Sequence, residues 1–198
     1  MQKILRALLL GAIFAFPTMS AAQFSESYSF LKAVKDRDGT EATKYVSKPG
    51  SVIIDTHDIS NGETALHIVA KDRDLTWLHF LLGKGAKPDS RDKTGETPLL
   101  IATRQNFIEG AEVLLAFQAG VDTANNNGET PLILAVQNRN LALVKLYLEQ
   151  GANPNKADHI AGLSARDYAE RDTRTPALLK AFEDSKPAKP RTKQGPHL

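Results

Sequence analysis

The chain has 198 residues, 41% of them apolar and 24% charged, with a formal net charge of +2. Those values suit one medium-sized globular domain and give no reason to invoke nucleic acid or an anionic membrane as partner. Cysteine is absent, which excludes disulfides and a lipid-modified cysteine.

In chain order, the first predicted element is a leader. Residues 1–22 carry Lys3 and Arg6, an apolar run from Ala7 to Phe16, then Pro17 and the small residues Ser20, Ala21 and Ala22. This order of positive, apolar and small residues is that of a secretory signal peptide, with cleavage expected between Ala22 and Gln23. The apolar run is much shorter than the roughly 20 residues a bilayer span needs, so no membrane insertion is expected after cleavage. The expected location is periplasmic or secreted, and a cysteine-free mature chain must be stable through its core alone. Losing Lys3 and Arg6 leaves as many bases as the 23 acids. The end of the chain, residues 185–198, holds Lys186, Lys189, Arg191 and Lys193 and no acid, so the body from Gln23 to Asp184 has four more acids than bases. This Pro- and Lys-rich tail is expected to be disordered.

The body is built from copies of one unit. "NGETALHIVA" (61–70), "TGETPLLIAT" (94–103) and "NGETPLILAV" (127–136) place Gly62, Gly95 and Gly128 at a period of 33 residues. Leu81-Leu82, Leu114-Leu115 and Tyr147-Leu148 repeat in step, as do Gly85-Ala86, Gln118-Ala119 and Gly151-Ala152. An atypical first copy is marked by Phe30, Ala33-Val34 and Tyr45-Val46, with about three extra residues expected within 47–58. A weaker last copy begins "AGLSARDYAE" (161–170) and puts Leu178, Ala181 and Phe182 on its second helix. Five copies thus run from about Tyr28 to about Phe182.

Each copy has a physical reading. Gly128 supplies a turn tolerating positive φ. Thr130 suits the N-cap and Pro131 the first helical position. Leu132 and Ala135 share one face of a short helix. A second helix puts Leu143, Val144, Tyr147 and Leu148 on one apolar face and ends at Gly151. Neither helix can bury its face alone, so neighbouring units must stack. The prediction is an all-α repeat solenoid of about five stacked helix-turn-helix repeats with atypical terminal capping copies, spanning residues 23–184.

The unit resembles the ankyrin repeat, whose core phrase is Gly-x-Thr-Pro-Leu-His-x-Ala with a later Leu-Leu-x-x-Gly-Ala. Gly62, Thr64, Leu66 and His67 match it, as do Gly95, Thr97, Pro98, Leu99 and Ala102, and Gly128, Thr130, Pro131, Leu132 and Ala135. The phrase's histidine survives only as His67. Leu100 and Ile133 replace it, so those two turns are expected to lose a polar link. Arg73, Asn106 and Arg139 stand where the family has a glycine between helices, and less ideal turns are expected there.

No chemistry stands outside the repeat. The five histidines and the absent cysteine give no metal-ligand spacing, and there is no phosphate loop or nucleophile elbow. No catalytic residue, cofactor or metal is expected. Trp77 is expected to pack in the core. The resemblance implies a non-catalytic module that binds another protein, monomeric when alone, through projecting turns and the concave face of the first helices. The turn positions are Ser60, Asn61 and Glu63; Lys93, Thr94 and Glu96; and Asn126, Asn127 and Glu129. The first-helix ends add Lys71, Asp72, Arg104, Gln105, Gln137 and Asn138. Glu63, Glu96 and Glu129 are expected to form an outward acidic line, serving either a basic or amide-rich partner or the helix N-termini. Other readings are an accessory, protective or inhibitory partner of a periplasmic enzyme, and a structural envelope protein.

Overall fold

A computed structural model describes residues 21–48 and 51–185, with side chains from Glu26 onward. The leader up to Ser20 and the tail from Lys186 lie outside the described residues, and the cleavage position after Ala22 falls at the start of the first helix. Ten helices follow in five consecutive pairs. They are α1 (Ala21–Lys35) with α2 (Gly39–Val46), α3 (Ala65–Lys71) with α4 (Leu75–Gly83), α5 (Pro98–Arg104) with α6 (Ile108–Ala116), α7 (Pro131–Gln137) with α8 (Leu141–Glu149), and α9 (Ala165–Arg171) with α10 (Pro176–Asp184). Among the described residues there is no strand, only one isolated antiparallel bridge between Ala157 and Ser164.

The helix starts follow from their side chains. The hydroxyls of Thr97 and Thr130 accept the amides of Leu100 and Ile133 at 3.3 and 3.2 Å, just ahead of Pro98 and Pro131. Second helices start on Asp38, Asp74 and Asn140, whose side chains accept the amides of Glu41, Trp77 and Leu143. Phe107 holds the equivalent place in α6 and makes no such bond. Its ring instead lies against Gly110, where any Cβ would collide with it.

Packing runs along the stack. The first helices α1, α3, α5, α7 and α9 contact one another in series, and α4, α6, α8 and α10 form a second series. One apolar core extends from Phe30 to Phe182, and Leu99 and Leu132 are fully buried in it. The extra residues after the first pair form a 3-10 turn, Ile53–Asp55, that buries Ile53 and Ile54 against α1 and α2. Trp77 departs from its expected core position. It is half-buried at the core margin, edge-on to Phe80 and beneath the Arg37 guanidinium. The core also contains a polar pair: Thr103 and Tyr147 hydroxyls meet at 2.5 Å, both groups fully buried. Burial pushes the Tyr147 phenol well above its usual range.

The turns inside each pair explain the missing glycines. Arg37, Arg73, Asn106 and Arg139 have φ of 60°, 55°, 51° and 54°, a left-handed backbone that costs side-chain-bearing residues energy. Each side chain reaches the next unit. Arg37 donates to Asp74 at 2.7 Å, and Arg73 lies over the Phe107 ring at 5.8 Å. Asn140 donates to Asn106 at 2.9 Å, and Arg139 donates to Asp172 at 2.6 Å. The unfavourable backbone is thus offset by contacts across the seam. Gln118 also sits at positive φ, 66°, where Gly85 and Gly151 stand in neighbouring units. Its side chain is exposed and, among the described residues, makes no hydrogen bond to offset the cost. Gln118→Gly is therefore expected to stabilise the fold by about 0.5–1 kcal/mol. Chemical denaturation checks this, and a loss of stability would contradict it.

Candidate protein-interaction surface

The turns between pairs are built around four Asp or Asn side chains that the repeat phrase does not contain. Asp58 accepts the Ser60 amide at 2.9 Å and the Ser60 hydroxyl at 2.5 Å. Asp92 accepts the Thr94 and Glu96 amides, both at 2.8 Å, and Asn125 those of Asn127 and Glu129, both at 3.0 Å. Asp158 accepts the Ile160, Ala161 and Gly162 amides. Such bonds hold a turn, and at Asp58 and Asp158 they favour the ionised form. The Ser60 hydroxyl and amide, aided by Lys35, bring the Asp58 carboxyl down to about 2.

Successive turns are then joined by backbone bonds. The Lys93 amide donates to Asn61 O at 3.0 Å, Asn126 to Thr94 O at 3.1 Å, and His159 to Asn127 O at 2.7 Å. Gly62, Gly95 and Gly128 have φ of 78–80°, and a Cβ on any of them would strike the following turn. Lys93 also donates its ammonium to the Ile59 and Ser60 carbonyls.

His67 is fully buried. Its Nδ1 accepts the Thr64 amide at 3.1 Å, and its Nε2 donates to Glu96 O at 2.9 Å, linking one turn to the next. Burial keeps its pKa below the ordinary 6.5. Leu100 and Ile133 cannot repeat this bond, yet the turn after Leu100 does not go unlinked as expected. Asn125 donates through Nδ2 to both Glu96 and Glu129 at 2.7 Å, and Arg104 reaches Glu96 at 3.0 Å and Glu129 at 2.7 Å. A charged network replaces the histidine.

His67→Leu removes one partner each from the buried Thr64 amide and Glu96 carbonyl. A loss of about 1–3 kcal/mol at pH 7.5 is expected. Because the folded ring titrates below 6.5, the unfolded chain takes up the proton first as pH falls past 6.5. The wild type therefore holds its full stability above that pH and loses part of it below. The leucine variant has no ring to titrate, so its deficit should narrow with acidification. A deficit independent of pH would contradict a buried neutral His67.

The network corrects the expected acidic line. The side chains of Glu63, Glu96 and Glu129 are only 14%, 10% and 18% exposed. They do not point out of the stack. Glu63 pairs with Lys71 at 3.1 Å, and Arg104 serves the other two. Each acid turns back toward the end of a first helix, where the base of its own or the neighbouring unit neutralises it. Lys71 and Arg104 are in turn committed to these pairs, and Asp72 to Arg37. Of the other positions, Ser60 and Thr94 spend their hydroxyls inside their turns, and Asn61 Oδ1 accepts the Glu63 amide. Asn126 and Asn138 donate to the Lys93 and Thr103 carbonyls. Gln137 lies beside the Tyr168 hydroxyl. Gln105 and Asn127 are exposed, with side chains that make no hydrogen bond among the described residues. The surface is therefore a rigid backbone ladder carrying exposed polar side chains, several of them pinned.

Among the described residues no group of His, Asp or Glu is placed to hold a metal ion, and no helix is long and apolar enough to cross a membrane.

The family comparison agrees with this construction. A family model for ankyrin repeats (3 copies) matches residues 18–122 and, in a second, overlapping match, residues 66–158. The chain belongs to the ankyrin-repeat family. The two matches together cover well over half of it and leave α9 and α10 outside. Comparison with curated proteins gave no match. Ankyrin repeats generally mediate protein–protein interaction and are typically non-catalytic, and both statements hold for the family to which these turns belong.

Proposed function

We propose that this ankyrin array is an exported, non-catalytic module that binds another protein through its stacked turns and the ends of its first helices. The supporting observation is the ladder of backbone bonds between turns, which fixes exposed turn groups such as Asn127, while the exposed Gln105 is held at the end of α5. A fixed surface binds with less ordering cost than mobile loops. Export is supported by the order of residues in 1–22. In this reading the tail from residue 185 is a solubilising end and the module is monomeric when alone.

The test places a photo-crosslinking residue at Asn127 or Gln105 in the full chain, expressed in a bacterial envelope, with the exposed His79 of α4 as control. One distinct protein adduct from the first two positions and none from His79 is expected. Adducts only to further copies of the chain would replace this reading with a structural envelope role. Mass spectrometry of the purified chain should find Gln23 at its start, and an intact Met1 in the cytoplasm would overturn export.

A further inference from the structure

The pairing of turn acids with helix-end bases follows a strict offset that fails in the last two units. Lys71, Arg104, Gln137 and Arg171 close the first helices α3, α5, α7 and α9. Eight residues before each stand Glu63, Glu96, Glu129 and Leu163. The second and third units contain both acid and base, and these pair. The fourth has the acid without the base, and Glu129 turns back to Arg104. The fifth has the base without the acid. Arg171 is exposed and forms no ion pair among the described residues. Asp167, one turn before it, already accepts the Ser164 amide at 2.8 Å and hydroxyl at 2.6 Å.

Beside Arg171 opens a cavity of about 270 Å³, lined by Val136, Gln137, Arg139, Tyr168, Arg171 and Asp172. Arg139 spends Nε on Asp172, and its terminal nitrogens donate to no group among the described residues. Asp172 is satisfied, since its other oxygen accepts the Arg174 amide at 2.9 Å. The notch therefore offers donors from two guanidiniums, with the Gln137 side chain turned to the Tyr168 hydroxyl beside them, above the buried Val136. Glu129 lies nearby, but Arg104 and Asn125 already hold it.

We infer that this notch between the fourth and fifth units accepts a carboxylate from the bound protein, an acidic side chain whose stem rests on Val136 and Tyr168. Guanidinium groups match carboxylates in plane and donor number, and such charge-assisted bonds are the strong ones. The volume is ample for one acidic side chain. The proposal rests on the reading of the array as a protein-binding module.

The test follows the arginine Nε–Hε resonances of the full chain during titration with three tripeptides, two of them capped at both ends. One carries a central Glu, one a central Gln, and one only a free terminal carboxylate. Saturable shifts at Arg171 and Arg139 with the Glu peptide are expected, with no shift at the distant Arg37 and binding about tenfold weaker for the Gln peptide. Arg171→Gln should abolish saturation and Arg171→Lys should restore part of it. The Glu-against-Gln comparison stands even if a variant fails to fold. Equal response to Glu and Gln, or a linear drift of all arginines, overturns the proposal. Stronger binding of the terminal carboxylate would replace the side-chain source with a chain end. Peptide binding at the notch without any crosslinked protein would count against the interaction reading alone, whereas a crosslinked partner with a silent notch would count against this inference alone.

Discussion

Leu132→Ala should lower the unfolding free energy by about 2–5 kcal/mol. Leu132 is fully buried in α7, and that helix packs against α5, α8 and α9. The substitution removes apolar burial and leaves a void that the flanking units cannot readily close. Because each unit touches only its neighbours, the loss should also be local. Hydrogen exchange should accelerate more in α7 to α10 than in α1 to α4. Urea unfolding measures the total and exchange its distribution. A loss below about 1 kcal/mol, or equal acceleration in all five pairs, would contradict a nearest-neighbour stack built on this residue.

Gly128→Ala is the second large effect, and Gly162→Ala is its control. Both glycines have positive φ, 79° and 67°. A Cβ at Gly128 would sit 2.8 Å from the His159 backbone nitrogen, whereas one at Gly162 meets nothing within 4 Å. Alanine at 162 carries only the left-handed backbone cost, about 1 kcal/mol. Alanine at 128 adds a clash that must push the His159 amide off Asn127 O, for a total of about 2–3 kcal/mol. Thermal or urea unfolding of the two variants separates the terms. Equal losses would mean that the contact between turns contributes nothing.

The fold was legible because one period of 33 residues ran through two independent sets of positions. Phe30, Leu132, Tyr147 and Phe182 were placed in the core by that register alone, and they are buried. The surface was far less legible. Glu96 reads as an outward turn residue because its base, Arg104, lies eight positions along on another element, and their meeting depends on how the helix returns beneath the turn. Asp58, Asp92, Asn125 and Asp158 escaped notice because they mix two residue types and shift by one position between copies. Their common signal was an Asp or Asn three or four residues ahead of each turn glycine. Trp77 was misplaced because its equivalents are Gly110 and Leu143, so the register does not impose one size there.

The side chains at the left-handed turns carry one more implication. The junctions between units do not share one chemistry: an ion pair from Arg37 to Asp74, a cation over an aromatic ring from Arg73 to Phe107, an amide pair between Asn106 and Asn140, and an ion pair again from Arg139 to Asp172. The units are therefore not interchangeable parts. Excising residues 94–126, one whole period, would set Arg73 against Asn140, a partner it was not matched to. Added salt should weaken the ion pairs of the first, third and fourth junctions, from Arg37, Arg104 and Arg139, more than the ring contact of the second. An array whose repeats look alike thus has a fixed internal order, and ionic strength loosens its junctions unequally.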